Sequence, residues 1–445
     1  MTSNTPSIIP VTRRSFLGRS AAGLAGAALV SGFPHISNAQ DAKAIRIGIV
    51  GCGGRGSGAL ADAMNADPNV VLISMGDTNP EQLETSFKNI SVSKPEQVKV
   101  DAANRFVGLD AVDKVLATDI DIVLLTTPPG FRPAHLHKAI NAGKHVFCEK
   151  PLGVDAPSIR HALEAVKKAK EKNLAIQSGF CWRYNLAERA TWEKLHAGVI
   201  GDIRCYYGTY LGGNAWAPKD RKPEWSDFEY QLRNWIYYTW LSGDHLVEQA
   251  VHSVDKMSWA FKDVPPVKCT ALAGRQQRVE PQYGNIYDHY SVMYEYPNGG
   301  RGFIFARQQQ GCSNENSDYI IGSTGTGTVN GFRPLHRLTP DEGPAWDYEK
   351  SGGEKNQMYV QEHKELIASI REGKPVNLGE QLAHSSMLAI MGRMSAYTGQ
   401  TITWEDAIAS NETFATGDIN ELKMDSKAPE VVVPIPGRYK LPKTS

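Results

Sequence analysis

The sequence carries a glycine-rich run, Gly51-Cys52-Gly53-Gly54-Arg55-Gly56, directly after a β-branched segment and directly before a stretch with helical spacing. In that context Gly51 permits a tight turn, Gly53 lets backbone approach a pyrophosphate, and Gly56 lets helix and strand pack closely. Gly54 and Arg55 complete a loop whose free N–H groups would face the phosphates at a helix N-terminus. Asp77 follows about 20 residues on, where a carboxylate accepts the ribose hydroxyls and repels a 2′-phosphate. Thr78-Asn79-Pro80 place no cation beside it, so NAD is expected over NADP. A second reactive position is Lys150, in Glu149-Lys150-Pro151, at the carboxyl end of another apolar run. An ammonium there points at the cofactor crevice and can polarise an alcohol as hydride leaves. A third set is His245, Glu248, His252 and Asp255, spaced i, i+3, i+7 and i+10 along one expected helix face. Buried polar groups of that kind need partners, and histidine suits proton transfer near neutral pH. A metal held by these four is the less favoured alternative, and no zinc-ligand spacing appears elsewhere.

The elements that position these residues alternate in the first half. Strands are expected at 45–50, 70–75, 120–125, 145–148 and 174–177, with helices at 57–66, ending near 141, and at 158–172. This pattern predicts a doubly wound parallel sheet, a Rossmann domain over residues 41–178. From residue 179 to 427 the texture becomes long alternating strands, at 203–211, 267–274, 287–296 and 301–309. Pro297-Asn298-Gly299-Gly300 reads as the turn of a hairpin. One helix over 243–261 and another over 361–371 interrupt them. The expected fold class is therefore α/β, with a C-terminal α+β domain built on a large open, mostly antiparallel sheet. Residues 428–445 form a Pro-rich extended tail.

Around Gly143-Lys144-His145-Val146-Phe147-Cys148-Glu149-Lys150-Pro151 the chain resembles the Gfo/Idh/MocA oxidoreductases, over about residues 44–410. The resemblance implies substrate bound between the two domains and a dimer formed through the open sheet. It places Lys150 beside nicotinamide and reacting hydroxyl, and makes His252 the proton acceptor with Glu248 as its acid, where relatives commonly carry aspartate. Thr127 and Pro128 fall near the nicotinamide ribose, although Pro129 and Arg132 stand where relatives have Asn and His. Arg183 and Asp255 become candidate substrate contacts, Arg183 serving equally well as an interdomain ion pair. Trp216, Trp225, Trp235, Trp240, Tyr237 and Tyr238 crowd one long insertion, suited to sugar stacking or to packing.

Composition narrows the rest. With 445 residues, 48 basic and 48 acidic side chains and 41% hydrophobic residues, the chain has two or three domains and no polybasic surface for nucleic acid. Thr12-Arg13-Arg14-Ser15-Phe16-Leu17, a weakly apolar run and Ser37-Asn38-Ala39 resemble a twin-arginine signal over residues 1–39. The run is too short and too rich in Gly and Ala for a stable membrane span. Six scattered cysteines show no disulfide framework. The expectation is a periplasmic or secreted homo-oligomer that uses tightly bound NAD to oxidise a secondary hydroxyl of a carbohydrate or cyclitol. An NAD-dependent glycosidase is the alternative.

Overall fold

A computed structural model describes residues 43–213, 216–414 and 417–442; the expected signal segment lies outside them. Six parallel strands form the first sheet: β1 (Ile45–Val50), β2 (Val70–Asp77), β3 (Arg105–Val107), β4 (Ile122–Leu125), β5 (His145–Cys148) and β6 (Ile176–Ser178). Their order is β3-β2-β1-β4-β5-β6, so the chain reverses direction across the sheet between β1 and β4. That switch opens the crevice where dinucleotides bind in doubly wound sheets. Ile47, Ile49, Leu72, Leu124 and Phe147 are buried on one face against Leu60, Ala63 and Met64 of the helix Gly54–Ala66.

The second sheet has nine strands: β7 (Ile203–Gly212), β8 (Lys268–Gly274), β9 (His289–Glu295), β10 (Arg301–Gln308), β11 (Ser317–Gly322), β12 (Gly325–Asn330), β13 (Leu335–Pro340), β14 (Trp346–Asp347) and β15 (Ile402–Thr403). The order is β14-β13-β12-β11-β7-β10-β9-β8-β15, antiparallel except where β10 runs parallel to β7. β9 and β10 form the expected hairpin, with Glu295 opposite Arg301 and Gly299 at φ +81° in the turn.

Two features depart from the expected plan. The chain returns to the first domain late: Leu366 and Ile367 of the helix Met358–Arg371 join its core, and Val376 and Leu378 bond Ile176 at the edge of β6. The single helix expected over 243–261 is instead two pieces, His245–Glu248 and Val251–Ala260, preceded by a short turn of helix at Thr239–Ser242. The Ala250 N–H reaches back five residues to the His245 carbonyl at 3.0 Å, which offsets the helical phase. All six cysteines are free thiols. The tail drapes over the C-terminal domain, with Tyr287 bonding the Pro434 carbonyl at 2.8 Å. Among the described residues, no helix is long and apolar enough to cross a membrane.

Candidate active site

The glycine loop has the shape that pyrophosphate binding requires. Gly51 has φ +98°, and a side chain there would strike the Thr126–Thr127 backbone at 2.8 Å. At Gly56 a Cβ would lie 1.9 Å from the Gly51 carbonyl oxygen. At Gly53 and Gly54 it would meet nothing within 4 Å, so this stretch is open to a ligand. Gly53 caps the helix without any side-chain acceptor, which leaves the first N–H groups free for phosphate. Thr126, which sequence reasoning passed over, locks the loop by donating to the Gly51 carbonyl at 2.6 Å. Thr127 is buried with its hydroxyl 3.2 Å from His135 Nδ1, and the Pro128 carbonyl accepts the Phe131 N–H.

Asp77 closes β2 beside this loop. Its carboxylate accepts the Cys52 N–H at 2.6 Å and the Asn79 N–H at 2.7 Å. Burial pushes its pKa up, opposed by those N–H groups and by the Lys219 ammonium. Each oxygen keeps a second lone pair for a ribose hydroxyl. The first domain therefore fits NAD on its own geometry. Asp77→Ala should weaken NAD binding by about 1–3 kcal/mol, since it removes the ribose acceptor and frees the Cys52 N–H together. It should also narrow the preference over NADP. Titration of both nucleotides checks this, and an unchanged ratio removes Asp77 from the ribose site.

The Arg55 guanidinium is taken up by carboxylates. It donates to Glu149 Oε1 at 2.5 Å, Asp62 at 3.4 Å and Glu362 at 3.3 Å, and lies over the Tyr359 ring. Glu149 is likewise a fastener: its other oxygen accepts the Lys150 N–H at 3.0 Å. Burial opposes the charge on Glu149, but Arg55, Lys150 and Arg132 together hold its pKa below the usual range. Arg132 is buried and donates to the Pro151 carbonyl at 2.6 Å, bracing the segment that carries Lys150. The glycine loop, the Glu-Lys-Pro segment and the helix Met358–Arg371 are thus tied through one ion cluster.

Lys150 projects across to the C-terminal domain. Its Nζ donates to the Glu248 carbonyl at 2.5 Å and lies 3.2 Å from Glu248 Oε1. Glu248 therefore partners the lysine, where the sequence pattern paired it with His252. His252 packs edge-on to Phe180, and its Nδ1 is buried with no hydrogen-bond partner. Burial, reinforced by Lys150, Lys256 and Arg55, holds His252 well below its ordinary pKa, so it stands as a neutral base. Tyr210 on β7 also borders this group: burial and the Glu248 charge push its hydroxyl up.

The remaining members of the expected stripe point elsewhere. His245 is fully buried, stacked on Tyr290 with both ring nitrogens unpartnered. Asp255 accepts from Arg183, Ser385 and Gln381, and Arg183 also grips Asp263 at 2.7 Å. Arg183 and Asp255 spend their charges on each other and on these neighbours, as in the ion-pair alternative for Arg183. The four residues do not converge on a metal.

Residues 45–180 match the model of an oxidoreductase family with an NAD-binding Rossmann fold, and residues 189–328 match the GFO/IDH/MocA C-terminal domain. An inositol 2-dehydrogenase of Rhizobium meliloti (strain 1021) is 23% identical over 339 residues, 75% of this chain and 90% of that one. A 2,7-anhydro-N-acetylneuraminate hydratase of Escherichia coli (strain K12) is 26% identical over 256 residues, 57% of this chain and 59% of its own length. A solved levoglucosan dehydrogenase, in complex with NADH and levoglucosan, superposes with a TM-score of 0.65 at 19% identity, covering 81% of this chain and 99% of that one.

Proposed function

Because the chain belongs to the Gfo/Idh/MocA family of oxidoreductases, we propose that it oxidises a secondary hydroxyl of a sugar, glycoside or cyclitol with tightly held NAD. The observation that carries this reading is Lys150 held on Glu248 across the two domains, beside the half-buried imidazole of His252, whose pKa the lysine's charge helps to lower. NAD, when bound, supplies the hydride acceptor. Lys150 donates a hydrogen bond to the reacting oxygen and stabilises its negative charge. His252 takes the hydroxyl proton on its neutral imidazole. Glu248 fixes the lysine through carbonyl and carboxylate together, so the ammonium is aimed before substrate arrives. The inositol and levoglucosan relatives support a polyhydroxylated ring as substrate.

The hydratase relative supports a second reading, an NAD-dependent glycosidase whose turnover is redox-neutral overall. Denaturing the purified mature protein should release NAD, detected by mass spectrometry. A panel of sugars and cyclitols should then build up reduced nicotinamide; cleavage of glycosides without net reduction would favour the second reading. Release of no nucleotide would overturn both.

Export by the twin-arginine route is part of the proposal, since it explains a cofactor carried within a folded enzyme. Replacing Arg13 and Arg14 with lysine should leave unprocessed precursor in the cytoplasm, and a processed periplasmic product would overturn it. Self-association is assigned to the open face of the second sheet, where Leu272, Tyr319 and Ile321 are exposed.

A further inference from the structure

We propose that residues 216–241 form a strap across the cofactor crevice, and that Lys219 within it completes the adenosine-ribose site opposite Asp77. This rests on the NAD-dependent reading above. One end of the strap is sealed by apolar packing. Phe228, Leu232, Ile236, Tyr238, Trp240 and Leu241 are buried in one cluster with Phe131, from the loop after β4, and Leu109, after β3, packs on its side. The Gly130 N–H donates to the Leu241 carbonyl at 2.9 Å, which fixes the strap to the β4 loop. The other end meets the loop after β2. Arg233 lies 4.0 Å from Glu81, in the first turn of the helix that follows Asp77. Asn234, fully buried, accepts the Lys219 N–H at 2.7 Å and donates to the Lys219 carbonyl at 3.4 Å.

The backbone of Lys219 is thus pinned from both sides while its side chain stays exposed. Asn234, which pins it, follows Arg233, whose neighbour Glu81 lies four residues past Asp77; burial and Arg233 lower the Lys219 pKa, while Glu81 and Asp77 favour its charge. Since β1 lies between β2 and β4, a dinucleotide seated on the glycine loop lies between the two attachments. It leaves only when the Lys219 and Arg233 contacts give way. Beside the ribose, Lys219 also offsets part of the repulsion that Asp77 exerts on a 2′-phosphate.

Release of radiolabelled NAD from the mature holoprotein, chased with unlabelled NAD, tests the strap. Lys219→Met with Arg233→Ala should speed release about tenfold, because such contacts act mainly on the off-rate. Lys219→Met alone keeps the stem and removes only the charge. It should widen the preference for NAD over NADP several-fold, with the melting temperature of the nucleotide-free protein unchanged; simple packing would not move that ratio. Release within twofold of wild type in the double variant, with an unchanged nucleotide ratio in the single one, overturns the strap. A wild-type protein that binds neither nucleotide overturns the NAD reading itself, and the strap with it.

Discussion

Lys150→Met should lower turnover by about 10²–10⁴ while NAD stays bound. In the proposed mechanism the ammonium serves the reacting oxygen; it is held at 2.5 Å by the Glu248 carbonyl and 3.2 Å by its carboxylate. Methionine fills similar volume but donates nothing, so alkoxide stabilisation is lost and packing is largely kept. On the proposed reading the phosphates rest on the glycine loop and the ribose on Asp77, while the lysine side chain is engaged by Glu248. Glu248→Gln should cost much less, because the backbone carbonyl still holds Nζ. Single-turnover rates and nucleotide content measured on the same preparation separate these effects. A Lys150→Met enzyme within about threefold of wild type would remove the lysine from the chemistry.

The parts of this site legible in the sequence are those that local geometry determines. The glycine loop, Asp77 and Lys150 each sit at the end of a strand, and a parallel sheet gathers such ends at one crevice whatever the rest of the chain does. The set from His245 to Asp255 failed as a single face because one five-residue backbone bond at Ala250 defeats a constant helical period. Only Glu248 and His252 then reach Lys150's neighbourhood, while Asp255 turns to Arg183. The helix Gly379–Thr398 was missed for the opposite reason. It is buried nearly all round, so its apolar residues show no stripe to read. The side-chain role of Arg55 was not legible, because its partners Glu149 and Glu362 come from far along the chain. Lys219 was invisible in the same way: the sequence beside Asp77 has no cation, and the proposed one comes from the segment that Asn234 pins.

His252→Ala should also lose about 10²–10⁴ in turnover with NAD retained, and its pH profile is the sharper test. An ordinary histidine, with a pKa near 6.5, would begin to protonate at neutral pH. His252 is held well below that, first by burial and then by Lys150. The wild-type rate should therefore stay level through pH 6.5 and fall only at lower pH, where the imidazole gains its proton and ceases to accept another. Stability declines in the same region. Burial depresses His135 and His363 to about 3 and His384 to about 4. Each of these histidines favours the native state above its unfolded value, and that contribution is lost as the pH falls from about 6.5 toward the folded value. Recovery of activity on return to neutral pH distinguishes protonation of His252 from unfolding. The residual activity of Lys150→Met offers an independent check, because removing the ammonium lets the pKa of His252 rise. Its acid limb should begin at a higher pH than in wild type, and a limb that stays in place would show that the two side chains do not share a site.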